Sequence, residues 1–336
     1  MKKIINDPEQ VVDEMLTGMV MAHPEIVRVN GFNVLIRKES KKKDKVTLIS
    51  GGGSGHEPAH GGFIGYGMLD AAVSGEVFTS PTPDQILEAI KAVDTGKGSL
   101  LIVKNYSGDV MNFEMASEMA EMDGIEIEQV IINDDVAVED STYTTGRRGI
   151  AGTIFVHKIA GAMAEKGASL SEVKRVAQKA INNLRSKGMA LTSCTVPSVG
   201  KPTFEIAEDE MEVGLGIHGE PGVEKIKIKS AAEIAENLVD SIVEDLPFKS
   251  GDEVALLING LGSTPLMELY ILNKSVQDLC RKRGIKVYKT YVDEYMTSLE
   301  MAGASISMLK LDDELKELLD EPADTLVLKQ GGKKDD

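Results

Sequence analysis

The chain has 336 residues, of which 42% are hydrophobic and 27% are charged, a composition typical of a soluble globular protein. At this length two domains of about 150 residues each are expected, because a single core seldom grows so large. The formal net charge of −17 disfavours nucleic acid as a partner, since its phosphates would be repelled. A small neutral ligand or a protein with a basic patch is compatible with that charge.

Cysteines and apolar runs indicate where the protein resides. The only two cysteines, Cys194 and Cys280, fall one in each expected domain, so a disulfide framework is disfavoured and a reducing compartment is favoured. No apolar run approaches the ~20 residues of a membrane span. Residues 1–7 lack the long apolar core of a signal peptide. We therefore predict a cytoplasmic protein.

Strand-like apolar runs alternate with helical patterns in the first half of the chain. Strands rich in Val, Ile and Leu are predicted at 33–36, 46–50, 99–103 and 127–132. Helices are predicted at 82–96, 108–123, 150–166 and 169–186, the first of them starting with a capping threonine and a proline. The polar stretch 133–149 predicts a long loop, and such loops are usually functional or disordered.

The second half repeats this alternation. Strands are predicted at 189–195, 254–259 and 286–291, and helices at 230–244, 264–283 and 311–319. The fold class is therefore α/β, with two α/β domains in which each sheet is flanked by helices. We assign residues 1–187 to the first domain, 188–330 to the second, and 331–336, which has no apolar residue, to a disordered tail.

A glycine-rich segment follows the strand predicted at 46–50. It reads Gly51-Gly52-Gly53-Ser54-Gly55-His56-Glu57-Pro58-Ala59-His60-Gly61-Gly62. In open α/β folds ligands bind at the carboxyl ends of strands, and glycine lets ligand oxygens approach the backbone closely. A lone glycine loop would be interpreted as a plain turn. Two histidines, a glutamate and a proline in the same turn favour a ligand site.

This segment matches none of the familiar glycine motifs. Walker A requires Lys-Ser/Thr after its last glycine, whereas His56-Glu57 follows Gly55. A nucleophile elbow requires glycine two residues after its serine, and Ser54 has His56 there. In the later segment that begins at Gly260, Pro265 stands where the dinucleotide fingerprint requires glycine. The sequence therefore has no recognisable nucleotide site.

Two further segments place reactive side chains just beyond predicted strands. Ile217-His218-Gly219-Glu220-Pro221-Gly222, like the turn around His56, places a histidine and a glutamate next to proline and glycine, and the pair predicts a ligand site near an interdomain cleft. In the segment after strand 99–103, Lys104 can donate to ligand oxygens and Asp109 can accept a proton. Asp109 could instead be an acid that the dipole favours at a helix start.

The histidines also have structural interpretations. Taken alone, His56 or His218 is more often a hydrogen-bonded structural histidine, and we keep that interpretation for His60 and His157, the latter as half-buried helix packing. A metal at His56, His60 and His218 is disfavoured, because zinc sites usually add closely spaced Cys or carboxylate ligands and none is apparent.

Several long segments, taken in order, resemble one family. They are Gly51 to His60, Gly75-Glu76-Val77-Phe78-Thr79-Ser80-Pro81, Val103 to Phe113, Thr145-Gly146-Arg147-Arg148-Gly149, Gly216 to Glu220 and Asn259-Gly260-Leu261-Gly262. Together they resemble the dihydroxyacetone kinase family, specifically its dihydroxyacetone-binding K subunits. The resemblance covers essentially the whole chain, and so many motifs in the correct order are far more specific than any one glycine loop.

The resemblance implies a two-domain α/β protein, usually a homodimer, that holds dihydroxyacetone as a hemiaminal on a histidine. By position that histidine is His218, and a neutral imidazole nitrogen can indeed add to a ketone carbon. His56 would hydrogen-bond the ligand and assist proton movement, and Asp109 would accept the proton of the hydroxyl that attacks phosphorus. The residues implied to hold the other hydroxyls are Gly53, Ser54, Gly55 and Lys104. Glu220 is either the ring partner of His218 or a turn residue.

The resemblance further implies that this chain binds no cofactor. Family members of this length lack an ATP-type helical domain. A separate L subunit with ADP and magnesium would present the phosphoryl group, and a phosphotransferase M subunit would recharge it from phosphoenolpyruvate. The alternative is a K-like sensor that co-activates a transcription regulator, but Asp109 and Lys104 favour the kinase. A self-contained ATP-dependent sugar kinase is disfavoured by the missing nucleotide motif, and a plain carbohydrate-binding domain is weaker still.

Overall fold

The structure is a computed structural model that describes residues 2–39, 44–138 and 146–331. In these ranges the helices, numbered in chain order, are α1 (Val11–Ala22), α2 (Pro83–Val93), α3 (Ser107–Met122), α4 (Thr153–Glu165), α5 (Leu170–Asn182), α6 (Ala231–Asp245), α7 (Leu266–Lys282) and α8 (Asp313–Asp320). The strands are β1 (Ile26–Arg28), β2 (Val34–Arg37), β3 (Thr47–Ser54), β4 (Gly65–Tyr66), β5 (Ala71–Val77), β6 (Ser99–Lys104), β7 (Ile127–Ile132), β8 (Leu184–Ala190), β9 (Glu210–Val213), β10 (Glu224–Lys227), β11 (Glu253–Gly260), β12 (Lys286–Asp293), β13 (Gly303–Leu311), β14 (Ala323–Thr325) and β15 (Lys329–Gln330).

The described residues form two compact units that are discontinuous in sequence. The amino-terminal unit comprises Lys2–Ile132, Ile154–Ala180 and the chain from Glu314 onward, and the carboxy-terminal unit comprises Asn133–Thr153 and Ile181–Asp313. These limits differ from the expected domains at segments 133–153, 181–187 and 314–330. The domain limits of 1–187 and 188–330, and a ligand site near an interdomain cleft, stay predictions.

The main sheet of the amino-terminal unit has the strand order β1-β2-β5-β3-β6-β7. Strand β3 pairs in parallel with β5 and β6, and β6 pairs in parallel with β7, whereas β1 and β2 are antiparallel. All eight residues of β3 are buried, as expected for a central strand covered on both faces. Helices α2 and α3 cover one face through Ile86, Ile90, Phe113 and Ala116. Helix α2 starts with a capping box between Thr82 and Gln85.

The sheet of the carboxy-terminal unit has the order β10-β9-β8-β13-β11-β12, in which only β11 and β12 pair in parallel. Helices α6 and α7 pack on it through Leu238, Ile242, Leu269 and Val276. Strand β13, near the centre of this sheet, was not predicted. Together with the amino-terminal unit, this arrangement confirms the α/β class.

Two predicted helices extend into residues that form strands. The helix expected to reach residue 186 ends at Asn182, because the next residues form β8, whose first four positions alternate between buried and partly exposed. The helix expected to start at residue 311 starts at Asp313, because Leu311 ends β13. In both cases a buried strand adjoins a helix, and both elements supply apolar residues.

A small third sheet, β15-β14-β4, belongs to the amino-terminal unit. Residues 139–145 of the polar stretch and 332–336 of the expected tail lie outside the described residues. Within the described ranges no helix is long and apolar enough to cross a membrane.

Candidate active site

The expected glycine turn is part of a strand. Strand β3 does not end at Ser50 but continues through the glycines to Ser54, because Gly51, Gly52 and Gly53 pair with β5. A Cβ on Gly53 would lie 2.6 Å from the backbone nitrogen of Thr79, and one on Gly52 would lie 2.5 Å from Nζ of Lys104. Because these glycines have no side chains, the backbone of Thr79 and the side chain of Lys104 can pack directly against the strand.

Lys104, the last residue of β6, is fully buried. Its Nζ donates to the carbonyl oxygen of Gly51 at 2.9 Å and lies 2.8 Å from Nε2 of His60. Oδ2 of Asp109 lies 3.9 Å from the same nitrogen. Burial lowers the pKa of Lys104, and the charge of Asp109 opposes that effect. The structure thus brings the predicted donor and the predicted proton acceptor together.

Asp109 lies in the first turn of α3 and is 2% exposed. Its Oδ1 has no hydrogen-bond partner among the described residues. Burial raises the pKa of Asp109, and the charge of Lys104 opposes the rise. A carboxylate with a raised pKa is a stronger base, so the environment suits proton transfer as well as a place at a helix start.

His56 is fully buried beside an unusual phenylalanine. The two rings are stacked, with their centroids 5.4 Å apart and their planes at 23°. Phe78 has a φ of +57°, in the left-handed region that non-glycine residues rarely adopt, and its N–H donates to the carbonyl oxygen of Ser54 at 3.0 Å. Strain of this kind concentrates at functional sites. Sequence reasoning assigned no role to Phe78, although it lies in one of the family motifs.

The other predicted ligand contacts have internal partners. The hydroxyl of Ser54 donates to the carbonyl oxygen of Gly75 at 2.7 Å, so it would meet a ligand hydroxyl as an acceptor. The N–H of Gly55 lies 3.1 Å from both carboxylate oxygens of Glu57, whose pKa is raised by burial. Substrate binding by Gly53, Ser54 and Gly55 stays a prediction.

Two histidines that were expected to be structural lie in the same buried cluster. His60 contacts Lys104, and its Nδ1 lies 3.4 Å from Oγ of Ser50. His157, on α4, is fully buried rather than half-buried, and its ring centroid lies 5.3 Å from that of His60. Burial is the main reason that the pKa of His157 falls to about 3.

His218 lies in the carboxy-terminal unit, after β9. Its backbone N–H donates to Oε2 of Glu220 at 2.8 Å, and Oε1 of that carboxylate accepts from Nη1 of Arg148 at 3.1 Å. These contacts support the turn role for Glu220. The catalytic assignment of His218, like those of His56 and Asp109, stays a prediction.

Arg148 forms hydrogen bonds to the segment that contains His218. Its Nη2 donates to the carbonyl oxygen of Gly214 at 2.9 Å, and its Nε donates to Oδ2 of Asp135 at 2.9 Å. Asp135 is fully buried, and burial raises its pKa to about 6 even though the charge of Arg148 lowers it. Arg148 therefore connects a buried carboxylate to both Gly214 and Glu220.

We expect Arg148→Leu to destabilise the protein by about 3–5 kcal/mol at pH 7.5, because it leaves the carboxylate of Asp135 buried without its counter-charge. Urea unfolding at that pH measures the change in the free energy of unfolding. The double variant Arg148→Leu/Asp135→Asn is the matched control, since it removes the unpaired charge and should recover part of the loss.

The pH dependence of the same variant follows from the raised pKa of Asp135. A carboxyl whose pKa is higher in the folded state costs stability as pH rises from its unfolded pKa, about 3.9, toward and past the folded value. Without Arg148 the folded pKa rises further, so the penalty of Arg148→Leu should shrink between pH 7.5 and pH 5. A penalty that is equal at both pH values would contradict the ion-pair role.

No group of three or more His, Cys, Asp or Glu side chains suited to a metal occurs in the residues that the structure describes.

The amino-terminal unit is thus a mixed α/β structure that buries a lysine and a carboxylate at the carboxyl end of a sheet, beside a glycine-rich strand, which is the arrangement of a small-molecule binding protein. The chain belongs to the Dak1 domain family, whose model matches residues 17–327. The resemblance noted in the sequence is therefore confirmed.

Three similar proteins each match almost the whole of this chain. The chain is 55% identical over 329 residues to the dihydroxyacetone-binding subunit DhaK of PTS-dependent dihydroxyacetone kinase 1 from Listeria innocua, covering 97% of this chain and 100% of that protein. Among solved structures, the dihydroxyacetone kinase operon co-activator Dha-DhaQ has a TM-score of 0.91 at 36% identity, covering 97% of this chain and 100% of that one. The dihydroxyacetone kinase of C. freundii in complex with AMP-PNP and Mg²⁺ has a TM-score of 0.90 at 37% identity, covering 98% of this chain and 61% of that one.

Proposed function

We propose that this chain is the dihydroxyacetone-binding subunit of a phosphotransferase-dependent dihydroxyacetone kinase. One observation supports the kinase assignment above all: the buried pair of Lys104 and Asp109 beside the glycines of β3. An amine that donates and a carboxylate with a raised pKa are the groups that a reacting hydroxyl requires. The 55% identity to a dihydroxyacetone-binding subunit supports dihydroxyacetone as the substrate.

In this proposal His218 holds the substrate covalently. A neutral ring nitrogen adds to the carbonyl carbon, the carbonyl oxygen takes up one proton, and the ring loses the proton of its N–H, so the protons balance. His56 hydrogen-bonds the ligand and moves that proton. The contacts of Arg148 and Glu220 support this role, because they hold the backbone on which His218 is carried.

Asp109 accepts the proton of the terminal hydroxyl as its oxygen attacks phosphorus. Lys104 donates to the substrate oxygens, and its positive charge favours the ionised form of Asp109 that a base requires. Phosphoryl transfer depends mainly on positioning and charge stabilisation, so the donor and acceptor groups can belong to different proteins. The product is dihydroxyacetone phosphate.

The phosphoryl donor in this proposal is a separate L subunit that holds ADP and magnesium, recharged by an M subunit of the phosphotransferase system. The failed Walker and dinucleotide motifs support a donor outside this sequence. The net charge of −17 suits a partner with a basic surface. We place the reaction in the cytoplasm, as the two isolated cysteines favour.

We also propose that the chain forms a homodimer. Strand β12 is eight residues long and lies at the edge of its sheet, where backbone groups can pair with another strand. Tyr288 on this strand and Met267, Tyr270 and Ile271 on α7 are exposed. An edge strand beside exposed apolar side chains suits a second copy of the same surface.

A ligand-sensing co-activator is the second candidate, because one of the similar structures is a co-activator. Both functions require ligand capture, so His218 does not separate them. A sensor has no use for a base that serves phosphoryl transfer, and the pairing of Asp109 with Lys104 therefore favours the kinase.

We expect the purified chain to leave dihydroxyacetone unphosphorylated when ATP is the only donor, because its sequence has no Walker-type loop for the phosphates and magnesium. A coupled reductase assay measures the formation of dihydroxyacetone phosphate. Product should form only when an ADP-loaded L subunit and the phosphotransferase components are added. A single-chain ATP-dependent dihydroxyacetone kinase serves as the positive control. Rapid turnover with ATP alone would refute the split-subunit proposal.

A further inference from the structure

The ammonium group of Lys104 has a nearly complete set of partners. An ammonium has three N–H donors and no acceptor. One N–H of Lys104 donates to the carbonyl oxygen of Gly51, a second donates to Nε2 of His60, and Oδ2 of Asp109 lies 3.9 Å from the same nitrogen, beyond hydrogen-bond distance. His60 is therefore one of two groups that fix where the third N–H points.

The contacts of His60 define its tautomer. Since Lys104 can only donate, Nε2 of His60 must be the acceptor and Nδ1 must carry the ring proton. Nδ1 lies 3.4 Å from Oγ of Ser50, and that hydroxyl donates a hydrogen bond to the carbonyl oxygen of Ile102 at 2.7 Å. In this series of hydrogen bonds Lys104 donates to His60, His60 donates to Ser50, and Ser50 donates to the carbonyl oxygen of Ile102. Every donor therefore faces an acceptor.

The surroundings also require His60 to stay neutral. It is 5% exposed, and a proton on Nε2 would point at an ammonium 2.8 Å away. Burial, followed by the charge of Lys104, lowers the pKa of His60 well below its ordinary value. Burial and the neighbouring ammonium therefore both favour the uncharged ring.

We propose that His60 is a positioning residue, whose neutral ring accepts a hydrogen bond from Lys104 and directs the third N–H of that lysine toward the substrate and Asp109. The part that concerns the substrate rests on the proposed function; the tautomer and the lysine contact do not. Ser50 supports the arrangement, because its Oγ accepts a hydrogen bond from the Nδ1–H of His60.

The tautomer can be measured without any ligand. In protein labelled with ¹⁵N-histidine, the ring nitrogens of His60, assigned by their absence from His60→Gln, should report a protonated Nδ1 and a bare Nε2 at pH 7. The same pattern should persist at pH 6. A protonated Nε2 at neutral pH would overturn the proposal, because such a ring cannot accept from an ammonium.

The effect on the substrate is tested with two variants of His60. His60→Leu should raise the dihydroxyacetone concentration that half-saturates adduct formation by roughly 10–100-fold, the usual cost of losing a hydrogen bond to a charged group. His60→Gln places an amide oxygen near Nε2 and should restore most of the affinity. Adduct formation is followed by intact-protein mass spectrometry, and thermal melts confirm that each variant is folded.

His23→Leu is the control, because it makes the same change at a histidine whose side chain is 41% exposed and pairs with Glu25. In this control the dihydroxyacetone concentration that half-saturates adduct formation should stay close to that of the wild type. Equal half-saturation in wild type and His60→Leu, or an equal loss in His60→Leu and His60→Gln, would overturn the positioning role. A wild-type chain that forms no adduct would instead contradict the proposed function, while the ring tautomer still decides the contact between His60 and Lys104.

Discussion

Replacement of Asp109 by Asn is expected to slow phosphoryl transfer by about 10²–10⁴-fold while dihydroxyacetone still binds to His218. The amide keeps the shape of the carboxylate and can hydrogen-bond a hydroxyl, but it cannot accept the proton. Mass spectrometry measures the adduct, and steady-state rates with an ADP-loaded L subunit, phosphoenolpyruvate and the phosphotransferase components measure transfer. Because burial raises the pKa of Asp109, the wild-type rate should fall on acidification at a higher pH than an ordinary aspartate would give.

A matched control separates catalysis from helix stability. Asp84 occupies the first turn of α2, as Asp109 does that of α3, but it is exposed. Asp84→Asn should therefore leave transfer unchanged. If Asp109→Asn transfers as fast as wild type, Asp109 is a structural acid at a helix start. If the wild type forms the adduct, transfers nothing with a competent partner and binds a transcription regulator only with ligand, the co-activator function is correct.

Replacement of His218 by Ala is expected to abolish the covalent adduct and, with it, phosphoryl transfer. The reason is chemical, since Ala has no nitrogen that can add to the carbonyl carbon. Intact-protein mass spectrometry after incubation with dihydroxyacetone should show one added ligand mass on the wild type and none on the variant. His23→Ala, which removes a histidine whose side chain is 41% exposed, should keep the adduct.

An adduct of equal yield on His218→Ala would assign the covalent bond to another residue. Borohydride reduces and so traps a lysine imine, but a hemiaminal has no C=N bond to reduce. The mass of the intact protein is therefore the decisive measurement. The Glu220→Gln variant adds information, because Gln can still accept from the N–H of His218 but loses the charge that pairs with Arg148. It should slow adduct formation without preventing it.

The fold class followed from apolar patterns, and the places where prediction failed have physical causes. Strand β7 was predicted at its observed limits, Ile127–Ile132, because its apolar run is bounded by polar segments. Strand β13 was missed because it opens with small residues, Gly303-Ala304-Ser305, and becomes a strand by pairing with β8 and β11 on either side. The glycines of β3 form a strand for the same reason, since pairing with β5 overrides their turn preference.

In the candidate site, residue type alone indicated Lys104 and Asp109, since a lysine and an aspartate just after a buried strand suggest chemistry. The role of His60 was not accessible, because its contact with Lys104 spans 44 positions in sequence. Arg148 was equally hidden, because its partner Glu220 is 72 positions away. Periodicity reports local structure, whereas these contacts depend on which strands become neighbours.

The order in which the elements occur has a consequence for synthesis on the ribosome. The amino-terminal unit is completed by residues near the far end of the chain, where β14 pairs with β4 and the buried Nζ of Lys158 donates to the carbonyl oxygen of Leu318 at 2.8 Å. These contacts cannot form until nearly the whole polypeptide has emerged. A nascent chain therefore holds Lys158 and β4 without their partners for most of translation. The amino-terminal unit begins first, but it cannot be completed before the segments of the carboxy-terminal unit have been synthesised.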